Sequence, residues 1–303
     1  MCGRTVIAMS ASEVCAAAGV TPERWAQHDA YRPRFNATPG CELPVLHLDD
    51  SSQPLLQTMR WGLLPHSTSP DVKPDFWRLC NARSETITEL ATFRSLTATR
   101  RCVLVLSGYY EFRTEGPKSA SVAQPYCVRP PECGAALRVA GLWDTWQSAE
   151  GPLHTATMLT MEATPALAWL HHRQPVVLPG SEAQAAWVGP DTAAALRLLA
   201  AVTRPDGQPP LTWHPVAASL AKPGTPDTPA CAAPVRRAVE AGAGSVAALF
   251  AKAAGGASPS PGAKRAREEG CTEAGREGKS PAKAAKGTPV KGQRSVAAFF
   301  KRS

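Results

Sequence analysis

The placement of aromatic side chains divides this chain before any motif is read. All eight Trp and all four Tyr of the 303 residues lie before residue 214, and from Ala238 onward the only aromatics are Phe250, Phe299 and Phe300. Beyond that point Ala, Gly, Lys, Ser and Pro take over, in runs such as Gly255-Gly256-Ala257-Ser258-Pro259-Ser260-Pro261. Such a stretch buries too little apolar surface to offset chain entropy, so residues 238–303 are expected to form a disordered basic tail. The fold is expected within residues 1–237, long enough for a sizeable core. Charge divides at the same place. Residues 238–303 carry 12 Lys+Arg against 5 Asp+Glu, and the remainder carries 21 against 20. The tail is therefore the general attractor of polyanions, and the domain needs a local patch if it binds nucleic acid. Lys264-Arg265-Ala266-Arg267 and Lys283-Ala284-Ala285-Lys286 fit nuclear import signals, which sets the expectation of a nuclear location.

Strand-like runs occur at Arg4–Ala8, Leu43–Leu48, Cys102–Leu106, Tyr126–Arg129, Leu137–Leu142 and Thr155–Thr160. Helical patterns occur at Ser10–Gly19, Thr164–Leu170, Ser181–Trp187 and Asp191–Val202, the last with Asp191 as an N-cap. Strands outnumber helices with no regular βαβ alternation. This predicts an α+β domain with a mainly antiparallel, barrel-like sheet and peripheral helices.

Nine cysteines contain no C-x-x-C pair and no disulfide-framework spacing. That pattern favours a reducing compartment and argues against a structural zinc site, and no cofactor is expected. Val6–Val20 is apolar enough to test as a signal peptide, but Glu13 interrupts it and only Arg4 precedes it. No window approaches the ~18 apolar residues of a membrane span.

The opening Met1-Cys2-Gly3-Arg4 carries distinctive chemistry. Removal of Met1, which a small second residue favours, would leave a 1,2-aminothiol. The α-amine has a pKa of roughly 7.7–8.0 and the thiol about 8.5, so both are partly deprotonated near neutrality. An aldehyde meeting this pair forms an imine, which the thiol closes into a thiazolidine ring. Taken alone, Cys2 is compatible with an N-terminal-nucleophile hydrolase, with covalent aldehyde capture, or with no role.

Further polar groups stand beside apolar runs: Asn81 in Asn81-Ala82-Arg83-Ser84-Glu85, Glu111 after Val103–Tyr110, and His171 before Val176-Val177-Leu178. Each has an ordinary reading as a cap, a solvated strand end or a surface histidine. As a set they resemble a family. MCGR at the start, RFNATP at Arg34–Pro39, RWGLLP at Arg60–Pro65, NARSE at Asn81–Glu85, GYYEF at Gly108–Phe112, QPYCV at Gln124–Val128, AGLWDTW at Ala140–Trp146 and HHRQPVVL at His171–Leu178 follow one another in order. The chain resembles the SOS-response-associated peptidase (SRAP) family, whose eukaryotic members are abasic-site-processing proteins that crosslink to DNA. The resemblance runs from residue 2 to about 237.

The resemblance implies that Cys2 attacks the ring-opened aldehyde of an abasic site in single-stranded DNA and closes a thiazolidine. It implies Glu111 as general acid/base, His171 as proton donor to the sugar hydroxyl, and Asn81 as the group orienting the Cys2 amine. An imine left open could undergo β-elimination, a lyase outcome. Arg4, Arg83 and Arg173 are implied as phosphate contacts. Trp61 and Trp77 are candidates for stacking on unpaired bases, with core packing as the competing reading. The family name implies a peptidase activity whose substrate would be Met1. This chain departs from common family residues at Gln174, Phe112 and Ser107, and at Val216–Ala221, where a DNA contact is put in doubt.

At the C-terminus, Gln293-x-x-Val296-x-x-Phe299-Phe300 resembles the box that binds the sliding clamp (PCNA). One helical turn would group Val296, Phe299 and Phe300 as an apolar plug. Ser245–Phe250 is a weaker copy. The chain is expected to act as a monomer. Two competing functions are a non-catalytic clamp-binding adaptor, for which Cys2 is dispensable, and an N-terminal-Cys glutamine amidotransferase, which needs an Asn-Gly pair that this chain lacks.

Overall fold

The six strand-like runs all become strands, distributed over two sheets. A computed structural model describes residues 2–116, 122–132, 134–222 and 224–235. In chain order the elements are β1 (Arg4–Ile7), α1 (Ala11–Ala18), β2 (Trp25–Ala26), β3 (Arg34–Ala37), β4 (Glu42–Leu48), β5 (Pro54–Trp61), β6 (Asn81–Arg83), α2 (Ala91–Thr99), β7 (Arg101–Leu106), β8 (Gly108–Glu115), β9 (Val122–Arg129), β10 (Leu137–Ser148), β11 (Gly151–Glu162), β12 (Arg173–Pro175), α3 (Gly180–Val188), α4 (Thr192–Val202) and β13 (Thr212–Pro215).

Strands β11, β10, β7, β4 and β5 pair antiparallel in succession, and β5 returns to β11 through a short parallel pairing at Thr155–Arg60 and Ala156–Trp61. The result is a closed five-stranded ring, which leaves few strand edges exposed. β11 is its hub: β10 and β5 pair with its first part, β6 and β12 with its last residues. The second sheet runs β13-β9-β8-β1-β3 and is antiparallel throughout. The fold is the expected α+β type.

β7 is buried along its whole length, Arg101 included. That guanidinium is tolerated because it donates to the carbonyls of Thr97, Trp187 and Gly189, which ties α2 and the end of α3 to the barrel. Helix α1 begins with a capping box between Ser10 and Glu13 and ends at Gly19 in the left-handed region.

Two helical elements differ from expectation. Thr164–Leu170 winds in turns without becoming a helix. Gln174 Oε1 holds its first residue, accepting from the Thr164 amide at 2.9 Å and the hydroxyl at 3.1 Å. A run this short, pinned at its start, is too brief to propagate a helix. Conversely, α2 is not apparent in the sequence, because its Thr-rich run has low intrinsic preference and no side-chain N-cap. It is held by Phe93, Leu96 and Thr97, which are buried.

Two glycines let backbones approach where the site is built. Gly62 sits at φ 113°, and a Cβ there would collide with the Phe76 carbonyl oxygen. That close approach lays the segment before β6 against β5. A Cβ on Gly108 would come within 2.7 Å of the Val128 carbonyl oxygen on β9.

Candidate active site

Cys2 shortly precedes β1, and its side chain is buried, 1% exposed. Its carbonyl oxygen accepts a hydrogen bond from Asn81 Nδ2 at 2.7 Å. Its thiol lies 3.5 Å from the Arg4 carbonyl oxygen. Asn81 therefore grips the Cys2 carbonyl through its amide nitrogen, and its Oδ1 is buried without a hydrogen-bond partner among the described residues. Burial pushes the Cys2 thiol well above the usual range, and the nearby Glu111 carboxylate adds to the rise.

Glu111 comes from β8, beside β1, and pairs in register with Tyr126 of β9. It is 4% exposed. Burial raises its pKa to about 7, partly offset by the positive charge of the chain's N-terminal amine and by the Phe112 backbone hydrogen bond. At neutral pH the carboxyl is thus poised between acid and base, as a proton shuttle requires.

His171 lies in the connection from β11 to β12. Its Nδ1 lies 3.0 Å from the Arg173 amide nitrogen and 3.1 Å from the Arg173 carbonyl oxygen. Desolvation lowers its pKa, with the charges of His172 and Arg173 contributing, so the imidazole is predominantly neutral near pH 7. The connection is tied on two sides. Arg173 makes a bidentate pair with Glu85 at 2.6 and 2.8 Å, in the turn that follows β6. Trp169 packs edge-on against Tyr126, the cross-strand neighbour of Glu111, with ring centroids 5.0 Å apart. Among the described residues, no group of three or more His, Cys, Asp or Glu is arranged to hold a metal ion.

Residues 1–223 match the SOS response associated peptidase (SRAP) family. The chain belongs to this family. Among its relatives, the abasic site processing protein HMCES of Xenopus tropicalis is 30% identical over 274 residues, 78% of each chain. The abasic site processing protein YoqW of Bacillus subtilis is 27% identical over 191 residues, covering 63% of this chain and 81% of its own. A crystal structure of a Bacteroides thetaiotaomicron protein superposes with a TM-score of 0.61 at 21% identity, over 78% of this chain and all of that one, a likeness of fold alone. A phage-related protein of Bordetella bronchiseptica gives a TM-score of 0.53 at 27% identity, over 71% of this chain and 94% of its own.

Against this SRAP framework the predicted DNA contacts separate. Arg83 ends β6 with its side chain exposed and no ion pair among the described residues. Arg4 donates to Asn36 Oδ1 at 2.6 Å and lies over the Phe112 ring. Arg173 is committed to Glu85 and to the Thr160 carbonyl, so binding a phosphate would compete with that pairing. Trp77 is 58% exposed. Trp61 is a correction: it is 0% exposed, with its indole N–H donated to the Cys80 carbonyl at 2.8 Å. It has no open face for a base, and its work is to hold the strand that carries Asn81.

The departures keep local structure intact. The Ser107 hydroxyl accepts from the Ala8 amide at 2.8 Å and fastens the end of β1 to the turn before β8. Gln174 is 2% exposed and pins the His171 connection at Thr164. Sequence reasoning missed Asn36 and Glu85 as partners of the predicted arginines, although both stand inside the ordered motifs. The clamp-motif residues Gln293, Val296, Phe299 and Phe300 and both basic clusters lie outside the described residues.

Proposed function

We propose that this protein captures abasic sites in single-stranded DNA through Cys2, after removal of Met1, by forming a thiazolidine crosslink. The observation that carries this reading is the seating of Cys2 between Asn81, which holds its carbonyl, and Glu111, whose pKa is raised to about 7. The names of the relatives support the substrate.

In this scheme Asn81 Oδ1 accepts a hydrogen bond from the freed Cys2 amine, aiming its lone pair. His171 assists opening of the sugar to its aldehyde. The amine attacks the carbonyl carbon, and loss of water gives the imine. The sulfur then bonds to that carbon, the C=N π electrons pass to nitrogen, and the thiol proton reaches that nitrogen by way of Glu111. Arg4, Arg83 and Trp77 contact the flanking strand. The same site would release Met1, in keeping with the family name. The tail would bring a monomeric protein to the sliding clamp in the nucleus through Gln293, Val296, Phe299 and Phe300.

A denaturing gel tests the chemistry. Protein with Met1 removed is incubated with a single-stranded oligonucleotide bearing one abasic site, beside Cys2→Ala. The expected result is a heat-stable shifted band that the variant lacks. A stable band of full strength with Cys2→Ala would refute the mechanism.

A further inference from the structure

Next to Glu111 the second sheet carries an aromatic cluster that the capture chemistry does not use. Trp213 lies on β13, an edge strand, paired in register with Val128, and is 38% exposed. Its ring centroid is 5.7 Å from that of Trp169, which in turn packs on Tyr126. The Arg113 guanidinium lies 5.1 Å from the centre of the Trp169 ring. Arg113 is exposed and makes no ion pair among the described residues.

The register places these groups together with the site. Glu111 opposes Tyr126, Arg113 opposes Gln124, and Trp213 opposes Val128. Alternation along the strands therefore puts Glu111, Arg113, Tyr126 and Trp213 on one face of the second sheet. Of the eight tryptophans, only Trp77 and Trp213 are exposed, and each is linked to a residue beside the Cys2 site. Trp77 leads into Asn81, whereas Trp213 reaches Glu111 through Trp169 and Tyr126.

We infer that Trp213, Trp169 and Arg113 form a stacking wall that holds a nucleotide flanking the abasic site, with a base on the Trp213 ring and its phosphate at Arg113. The inference rests on the capture reading for the substrate. The occupant follows from the chemistry. An exposed indole beside a guanidinium that makes no ion pair among the described residues matches a base joined to a phosphate, and base–aromatic stacking accepts any base. A strand missing one base at the lesion has lost local stacking, so neighbouring bases are readily taken up by aromatic rings. Trp169 acts as the positioning residue here: it carries Trp213 on one side and Arg113 on another, two residues before His171.

The test uses the full chain and a labelled single-stranded oligonucleotide with a central tetrahydrofuran, which has no aldehyde and cannot crosslink. Anisotropy gives the dissociation constant. Trp213→Ala is expected to weaken binding by about 5- to 30-fold, with Trp213→Phe recovering most of it. Removing the base at one flanking position should weaken the wild type by a similar factor and the Trp213→Ala variant by little more. Arg113→Gln, a surface change, should reduce the salt dependence of binding by about one phosphate contact. Unchanged affinity in a folded Trp213→Ala protein, losses that multiply independently at every flanking base, or an unchanged salt slope for Arg113→Gln would each overturn the inference. Crosslinking of an authentic abasic oligonucleotide by the wild type is scored separately. Its failure refutes the capture reading, whereas intact crosslinking with unaltered Trp213→Ala affinity refutes only the wall.

Discussion

Replacing Glu111 by Gln removes a buried acid whose pKa moves from an ordinary 4.5 to about 7 on folding. Below pH 4.5 the folded and unfolded chains both hold the proton, and the carboxyl imposes no ionisation cost. Between 4.5 and about 7 only the folded chain holds it. Each pH unit in that window therefore lowers stability by about 1.4 kcal/mol. Above that window neither state holds the proton, and the accumulated loss is about 3 kcal/mol. Gln is neutral throughout and nearly the same size. Glu111→Gln should therefore match the wild type near pH 4.5 and exceed it by about 3 kcal/mol at pH 8. Urea denaturation of both proteins across that range gives the difference, in which titrating groups remote from residue 111 cancel, while the N-terminal amine and the Cys2 thiol stay linked to the Glu111 charge. The same variant should crosslink abasic DNA about 10²- to 10⁴-fold more slowly and lose the inflection near pH 7 in the rate profile. A stability difference that stays flat with pH would refute the buried-acid account, and an unchanged rate would remove Glu111 from the proton transfers.

The two tryptophans first considered for stacking should separate cleanly. Trp61→Ala is expected to cost about 3–5 kcal/mol of stability, read by denaturant midpoint, because it empties a core position. Trp77→Ala should leave stability within about 0.5 kcal/mol and weaken single-stranded DNA binding, measured by anisotropy; a normal DNA affinity would exclude it as a platform. Phe299→Ala with Phe300→Ala should eliminate clamp binding in calorimetry and leave crosslinking of free oligonucleotides intact. Unchanged clamp affinity would discard the C-terminal motif.

The strands were legible because barrel staves that face the core on both sides read as continuous apolar runs, as Val103–Leu106 does. Helix α2 was not, because its stability comes from Phe93 and Leu96 packing on the barrel rather than from local preference. For the site, Cys2, Asn81 and Glu111 stood out from the order of the motifs. Their coupling did not: no spacing rule says that an amide at position 81 will meet the carbonyl of residue 2. The same limit explains Arg173. Nothing in the spacing indicates that Glu85, 88 residues earlier in the chain, closes a bidentate pair on it, a pair with which the phosphate implied by the resemblance would compete. Trp61 and Trp77 are the same residue type, but Trp61 ends strand β5 inside the core whereas Trp77 lies in an exposed turn before β6.

The direction of the two shifts at the site bears on the order of events in the proposed capture. A thiol held well above its usual pKa is almost entirely protonated at pH 7, so it is a poor first nucleophile. A freed α-amine, at roughly 7.7–8.0, has an appreciable unprotonated fraction at the same pH. Attack by nitrogen therefore comes first, and the thiol acts only after the imine presents an electrophilic carbon beside it. Glu111, near 7, then matches both needs in turn: protonated, it assists loss of water from the carbinolamine, and the carboxylate that this leaves accepts the thiol proton as the ring closes. Burial that disfavours thiolate also spares the cysteine from oxidation and from adventitious electrophiles until a DNA aldehyde has been bound by the amine. The carboxylate's cost to stability and the thiol's low resting reactivity thus have one cause, the apolar seat shared by Cys2 and Glu111.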